Sequence, residues 1–198
     1  MLEYIPFEHV ERSARLVLVG IAPGPTQLEI AYEVAAKLIR SGASNEEILR
    51  EVKRRAGFGG SSMRPNLVRM LNHFDFGGIF NVTDGDAFWA DDCRLLHCTS
   101  VVPHAAFRKD KMLAGSFTEV QGSPIFKECF LRDFVGSISE LDPNARFVAL
   151  GQPPVMRWTG ASLMATSLPT VSSVRSLIHR PAAAARSMSI SEPKVLTI

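Results

Sequence analysis

Residues 16–24 read Leu-Val-Leu-Val-Gly-Ile-Ala-Pro-Gly. Four consecutive apolar residues suit a strand buried on both faces. The Gly-Ile-Ala-Pro-Gly turn then ends that strand abruptly: Gly20 and Gly24 are free to take backbone angles other residues avoid, and Pro23 fixes one φ. Such a turn belongs at the carboxyl end of a parallel strand, where open α/β sheets place their ligands. It brings backbone close to a ligand with no side chains in the way.

The rest of the chain alternates in a compatible way. Leu28, Ala31, Val34, Ala35, Leu38 and Ile39 recur at helical spacing over residues 27–40. Ser44-Asn45-Glu46-Glu47 is a capping-box pattern that opens a second helix through about Arg55. The Lys53-Arg54-Arg55 run at its end reads as an exposed, dipole-favoured terminus. A Gly-rich loop, residues 57–62, leads to a third helix with Pro65 in its first turn. Residues 75–92 read as loop with a short helix near 87–92, and residues 95–102 as a second buried strand. A long loop is predicted over 103–124, a helix over 125–138, a turn at Asp142-Pro143-Asn144 and a third strand over 145–150. Strands alternating with helices predict an α/β fold with a doubly wound parallel sheet.

Composition narrows the class. The 198 residues suffice for one domain with a real core, and no run of about 18 apolar residues predicts a membrane span. The N-terminus has no apolar stretch of signal-peptide type. Cys93, Cys98 and Cys129 show no metal-ligand spacing, and their odd number predicts reduced thiols in a cytoplasmic protein.

The chain changes character after Gly151. The last 47 residues contain no Asp, Asn, Phe, Tyr or Cys. They carry five basic residues and one acid, about +4, which leaves −2 for residues 1–151. Ser, Thr, Pro and Ala dominate, as in low-complexity segments. The genetic code offers another reading. Translated from the third base of each codon, residues 155–165 permit Asp-Ala-Leu-Asp-Trp-Cys-Val-Ala-Asn-Gly, and residues 177–181 permit His-Pro-Ser-Ala in the same frame. Residues 1–151 are therefore expected to form one domain. Residues 152–198 are expected to be an atypical tail, disordered or out of frame.

Strand-Gly-x-x-Pro-Gly resembles the first motif of the uracil-DNA glycosylase superfamily, and Thr26-Gln27 resembles a bacterial subgroup with Gly-x-Ala-Pro-Gly-x-Thr-Gln. Phe58-Gly59-Gly60 before Pro65-Asn66-Leu67-Val68 is similar to that family's Phe-x-Gly segment and following helix. Thr99-Ser100-Val101-Val102 resembles its Thr-Asn-Val-Val strand end, and Phe147-Val148-Ala149-Leu150-Gly151 its Val-x-Leu-Gly strand. The out-of-frame His-Pro-Ser resembles its last motif. The likeness spans about residues 14–151. It implies a three-layer α/β/α sandwich around a parallel four-stranded sheet. It also implies a monomeric enzyme that flips a deaminated base out of DNA and hydrolyses its N-glycosidic bond, with no metal or organic cofactor.

The resemblance assigns roles residue by residue. Gly20, Ile21, Ala22, Pro23 and Gly24 would wall the base pocket; otherwise they make an ordinary strand-to-helix turn. Ile21 and Ala22 stand where the family has an activating carboxylate or amide, so Gln27 or backbone carbonyls are left to orient water. Phe58 either stacks on the flipped base or anchors its loop in the core. Ser100 replaces the base-reading Asn, and a hydroxyl reads a pyrimidine edge less sharply than an amide. His179 corresponds to the histidine that stabilises the departing base, displaced if the tail is out of frame. His97 reads as a core histidine and His104 as a residue outside the pocket. Arg108, Lys109 and Lys111 either meet DNA phosphates or form a solvated loop. The competing reading is a catalytically impaired nucleic-acid or nucleotide-binding protein on the same scaffold. An unrelated nucleotide-binding α/β protein is weakened by the lack of a Walker lysine and of Gly-x-Gly-x-x-Gly.

Overall fold

The computed structural model of the chain describes residues 1–108, 111–113, 117–150, 156–159, 162–165 and 195–197. A two-residue strand, β1 (Leu2–Glu3), precedes β2 (Leu16–Gly20) and the helices α1 (Pro25–Arg40), α2 (Asn45–Ala56), α3 (Met63–His73) and α4 (Phe76–Phe80). A 3₁₀ turn at Asp86–Trp89 leads into β3 (Leu96–Ser100), then β4 (Ala105–Arg108), β5 (Lys111–Met112) and α5 (Phe117–Gln121). Next come α6 (Pro124–Cys129), a π-helical stretch Phe130–Val135, α7 (Gly136–Ser139) and β6 (Arg146–Ala149). Two short strands, β7 (Met156–Thr159) and β8 (Ser162–Ala165), pair as a hairpin, and β9 (Val195–Thr197) is the last described element.

The chain is an α/β protein built on a small parallel sheet with β2 at its centre. β2 pairs with β3, Leu16 opposite Leu96 and Gly20 opposite Ser100, and with β6, Val17 opposite Phe147. Within residues 1–150 the sheet has the three strands read from the sequence and not the four that the resemblance implies. The three residues of β9 lie parallel beside β6, Val148 opposite Leu196. The alternation of β2 explains its burial on both faces. Leu16 and Leu18 pack with Leu67, Leu71, Phe76, Phe80 and Phe88 on one face. Val17 and Val19 pack with Phe117, Val120, Phe126, Phe130 and Phe134 on the other. A third apolar cluster joins α1 and α2 to the N-terminal segment through Ala31, Ile48, Val52, Ile5 and Phe7.

Several expectations change. Residues 76–80 form α4, not loop. Gly77-Gly78 hides the helix in the sequence, yet left-handed Asp75 and Asn81 bracket it and Phe76 and Phe80 bury it. Residues 103–124 are not one long loop: β4 pairs antiparallel with β1 and β5, and α5 follows. The predicted 125–138 helix contains a π-helical stretch, which widens one turn. Lys53 is not on an exposed terminus. It is 5% exposed, while Arg54 and Arg55 are tied to Glu51. All three cysteines are free thiols. No helix among the described residues is long and apolar enough to cross a membrane.

Candidate functional site

The parallel register carries the two strand ends to the same level. Gly20 lies opposite Ser100, and the pairing continues as Val101 and Val102 donate to the carbonyls of Gly20 and Ile21 at 2.9 Å. Gly20 does not use a left-handed backbone: among described glycines only Gly42 and Gly60 have positive φ, and Gly24 is extended at φ −88°. What Gly20 supplies is space. A Cβ there would sit 3.1 Å from Phe58 Cε1 and 3.3 Å from Ser100 Oγ. The three residues, 38 to 80 positions apart in the chain by their numbers, thus meet at the carboxyl ends of β2 and β3.

Phe58 is held there by several devices. Its φ of +51° is left-handed, a conformation that is strained for an aromatic residue and clusters at functional sites. Its N–H donates to Gln27 Oε1 at 3.0 Å, a buried bond. Gln27 is itself only 6% exposed, and its amide nitrogen faces Met63 Sδ at 3.9 Å. Gln27 is therefore a positioning residue for the Phe58 loop, with its carbonyl engaged. Arg64 ties the start of the same loop, donating from Nη2 to the carbonyls of Arg54, Arg55 and Gly57 at 2.7–2.9 Å, its guanidinium over the Trp89 ring. Gly57 is fitted against Cys98: a Cβ there would meet Lys53 O at 2.5 Å and Cys98 Cβ at 2.8 Å. Phe58 is buried and its ring rests on Gly20, so the aromatic fills the space in front of the turn.

The other turn residues have distinct surroundings. Ile21 and Ala22 pack on the apolar cluster of α5 and α6, Pro23 is buried, and Gly24 faces the thioether of Met112. No carboxylate or amide side chain stands on the turn itself. Lys111 is exposed at the tip of the β4–β5 hairpin. Lys109, the side chain of Arg108, and His179 lie outside the described residues, as does most of the segment read as out of frame.

A second, polar region runs along the outer edge of β3. The N-terminal segment crosses it, and Lys53 reaches in from α2 to donate to the carbonyls of Phe7 and His9 at 2.8 and 2.7 Å. Burial pushes this amine down to about 7. His97 is buried too. Its Nδ1 accepts from Glu11 N–H at 3.4 Å, its Nε2 has no protein partner, and burial first and Lys53 second hold it well below the usual imidazole range. It is a half-satisfied core histidine. Next to this edge lies a cleft of about 400 Å³ lined by Tyr4, Glu8, Lys53, Thr99, His104 and Asp133, among others. His104, Cys129 and Asp133 are the group among the described residues that brings metal-ligating atoms together.

The sequence reading missed this polar edge. One signal was present: Ile48, Val52 and Ala56 make an i, i+4 row, and Leu49 and Lys53 form the row beside it. The lysine thus lies at the border of the buried stripe.

A 145-residue stretch, 73% of this chain, is 31% identical to the uncharacterized protein YoxB of Bacillus subtilis (strain 168). The chain is similar to YoxB. It spans 56% of YoxB's length, so the relative extends well beyond the matched part. No family model matches the chain, and no solved structure matches it. The likeness to YoxB attaches no activity to either region.

Proposed function

We propose that this chain is a DNA glycosylase that flips uracil or a related deaminated base out of DNA and hydrolyses its N-glycosidic bond. The observation that supports this most is the meeting of the Phe58 ring and the Ser100 hydroxyl over Gly20, at the carboxyl ends of adjacent parallel strands. An extruded pyrimidine needs an aromatic face to stack on, a hydrogen-bonding group at its edge and a backbone wall without side chains. Phe58, Ser100 and Gly20 are of those types. A strained, firmly tied Phe58 loop fits a residue whose position matters more than its comfort. The finer architecture, a three-layer α/β/α sandwich with four parallel strands, belongs to this reading. So does the assignment of residues from about 152 to another frame. Catalysis then falls to electrostatic stabilisation of the departing base and the cationic sugar, since the turn carries no general base.

A second reading, a nucleic-acid-binding protein without catalysis, is favoured by Ile21 and Ala22 in the place of an activating side chain. The two separate on uracil-containing single- and double-stranded oligonucleotides. Excision leaves alkali-labile abasic sites, and Phe58→Ala and Gly20→Val each remove that product. Retarded but intact DNA moves the protein to the second reading. Neither excision nor retardation overturns both.

A further inference from the structure

Two side chains one helical turn apart meet a third, distant in sequence, where the turn after β3 packs on the π-helical stretch. Cys129 ends α6 and Asp133 lies four residues on, inside the widened turn, so both face His104. Cys129 Sγ lies 3.2 Å from Asp133 Oδ2, and His104 Nε2 lies 3.5 Å from the same oxygen. All three donor atoms fall within 4.8 Å of one another. Around a tetrahedral Zn²⁺, bond lengths of about 2.3 Å to sulfur and 2.0–2.1 Å to nitrogen or oxygen put ligand atoms roughly 3.3–3.6 Å apart. The 3.5 Å separation falls in that range and the 3.2 Å one lies 0.1 Å short of it.

We propose that His104, Cys129 and Asp133 bind a Zn²⁺ ion, with the fourth coordination position open to the 400 Å³ cleft that His104 and Asp133 line. The mixed sulfur, nitrogen and oxygen set selects a borderline-soft cation over Ca²⁺ or Mg²⁺, which take oxygen ligands. The surroundings are those of a supported site. Arg132 forks onto Asp133, Nε to Oδ1 at 2.7 Å and Nη2 to Oδ2 at 3.0 Å, and fixes the carboxylate. Burial and then the Asp133 carboxylate push the Cys129 thiol up to about 12, with the backbone hydrogen bond from His104 a smaller opposing influence, so deprotonation of the sulfur falls to the charge of the ion itself. Asp133 Oδ2 now receives the thiol hydrogen and faces the imidazole, and the ion takes the place of both. Binding releases the thiol proton to solvent. It also shifts the imidazole proton from Nε2 to Nδ1, which gives up the long 3.4 Å contact from Ile5 N–H. Cys98 sits apart, in the apolar cluster with Phe58 and Leu71.

Titration of the full chain with Co²⁺ tests this. One equivalent should produce the intense visible bands of a tetrahedral site and a near-ultraviolet thiolate-to-metal charge-transfer band, both erased by one equivalent of Zn²⁺. Cys129→Ser should remove the charge-transfer band and Cys98→Ser should keep it. His104→Gln and Asp133→Asn should each weaken Co²⁺ binding at least tenfold, with folding of every variant followed by far-ultraviolet circular dichroism. Should Cys129→Ser not fold, the His104 and Asp133 variants decide alone. No charge-transfer band at saturating Co²⁺, or affinity unchanged in the His104 and Asp133 variants, overturns the site.

Discussion

Two regions of this molecule, a few residues apart on β3, are built on opposite principles. At its carboxyl end, Ser100 joins Gly20 and Phe58 in a packed contact made by the absence of a side chain. Along its outer edge, His97 and Thr99 turn the other way, toward buried Lys53 and a hollow polar cleft. The first region is held by close approach of backbone and ring, so its residues are small or apolar. The second is held by charged and polar groups that have left water and found backbone carbonyls. The lesson is that one strand, by simple alternation, serves a shape-defined site on one face and a charge-defined site on the other.

The comparison breaks most easily at Gly57. Its missing Cβ lets the Phe58 loop close onto Cys98, with backbone Lys53 O as the immovable neighbour at 2.5 Å. Gly57→Ala should destabilise the fold by about 3 kcal/mol, the upper range for overpacking. Gly20→Ala meets the edge of a side chain at 3.1 Å, where the Phe58 ring has only to yield by a few tenths of an ångström, and should cost under about 1 kcal/mol. Denaturant midpoints for the two variants check this; equal losses would mean that the shape-defined region has no rigid side.

The charge-defined region is tested by pH. Burial lowers the Lys53 amine from 10.5 to about 7. Between those values the unfolded chain holds a proton that the native chain has lost, so stability rises with pH across the interval, and below about 7 the full penalty applies. The slope approaches 1.36 kcal/mol per pH unit, or about 2 kcal/mol between pH 7 and 9. Lys53→Met should flatten that rise, whatever it does to stability at pH 7. Unfolding of both proteins by urea at pH 7, 8 and 9 measures it. Parallel curves would show that Lys53 is hydrated after all.

These two regions were not equally legible in the sequence. Gly20, Phe58 and Ser100 stand out because a run of apolar residues ending in Gly-Ile-Ala-Pro-Gly has few alternatives, and glycine and aromatic positions keep their meaning in any register. The parallel strands β2, β3 and β6 and the helices α1 to α3 follow from periodicity and from Ser44, whose hydroxyl accepts from Glu47 N–H. The polar edge draws on Tyr4, Lys53, Thr99 and Asp133, from four separate stretches whose polar groups look solvated until the chain is folded. The row of Leu49 and Lys53 beside the buried stripe is the local signal for Lys53, and it is masked by Arg54 and Arg55, which follow it. Gln27 was legible as a site residue and not in its role: only the fold shows that its carbonyl is taken by Phe58 N–H.

A more local effect sharpens how the shape-defined region is supported. Arg64 touches neither Gly20 nor Ser100 by any hydrogen bond, yet a single guanidinium nitrogen closes three carbonyls where α2 ends and the Phe58 loop begins. Those carbonyls lie near the surface, so water takes over part of what Arg64→Ala removes. The loss should be about 1–2 kcal/mol, a fall in Tm of roughly 3–6 °C for a domain of this size. Its distinctive mark is local. The Phe58 amide, bound to Gln27 Oε1, should exchange its hydrogen faster, while the Glu11 amide, bound to His97 Nδ1 in the charge-defined region, should not. An Arg64→Ala protein with unchanged Phe58 exchange would show that Gln27 alone holds the ring over Gly20, and would move the support of the site from α2 to α1.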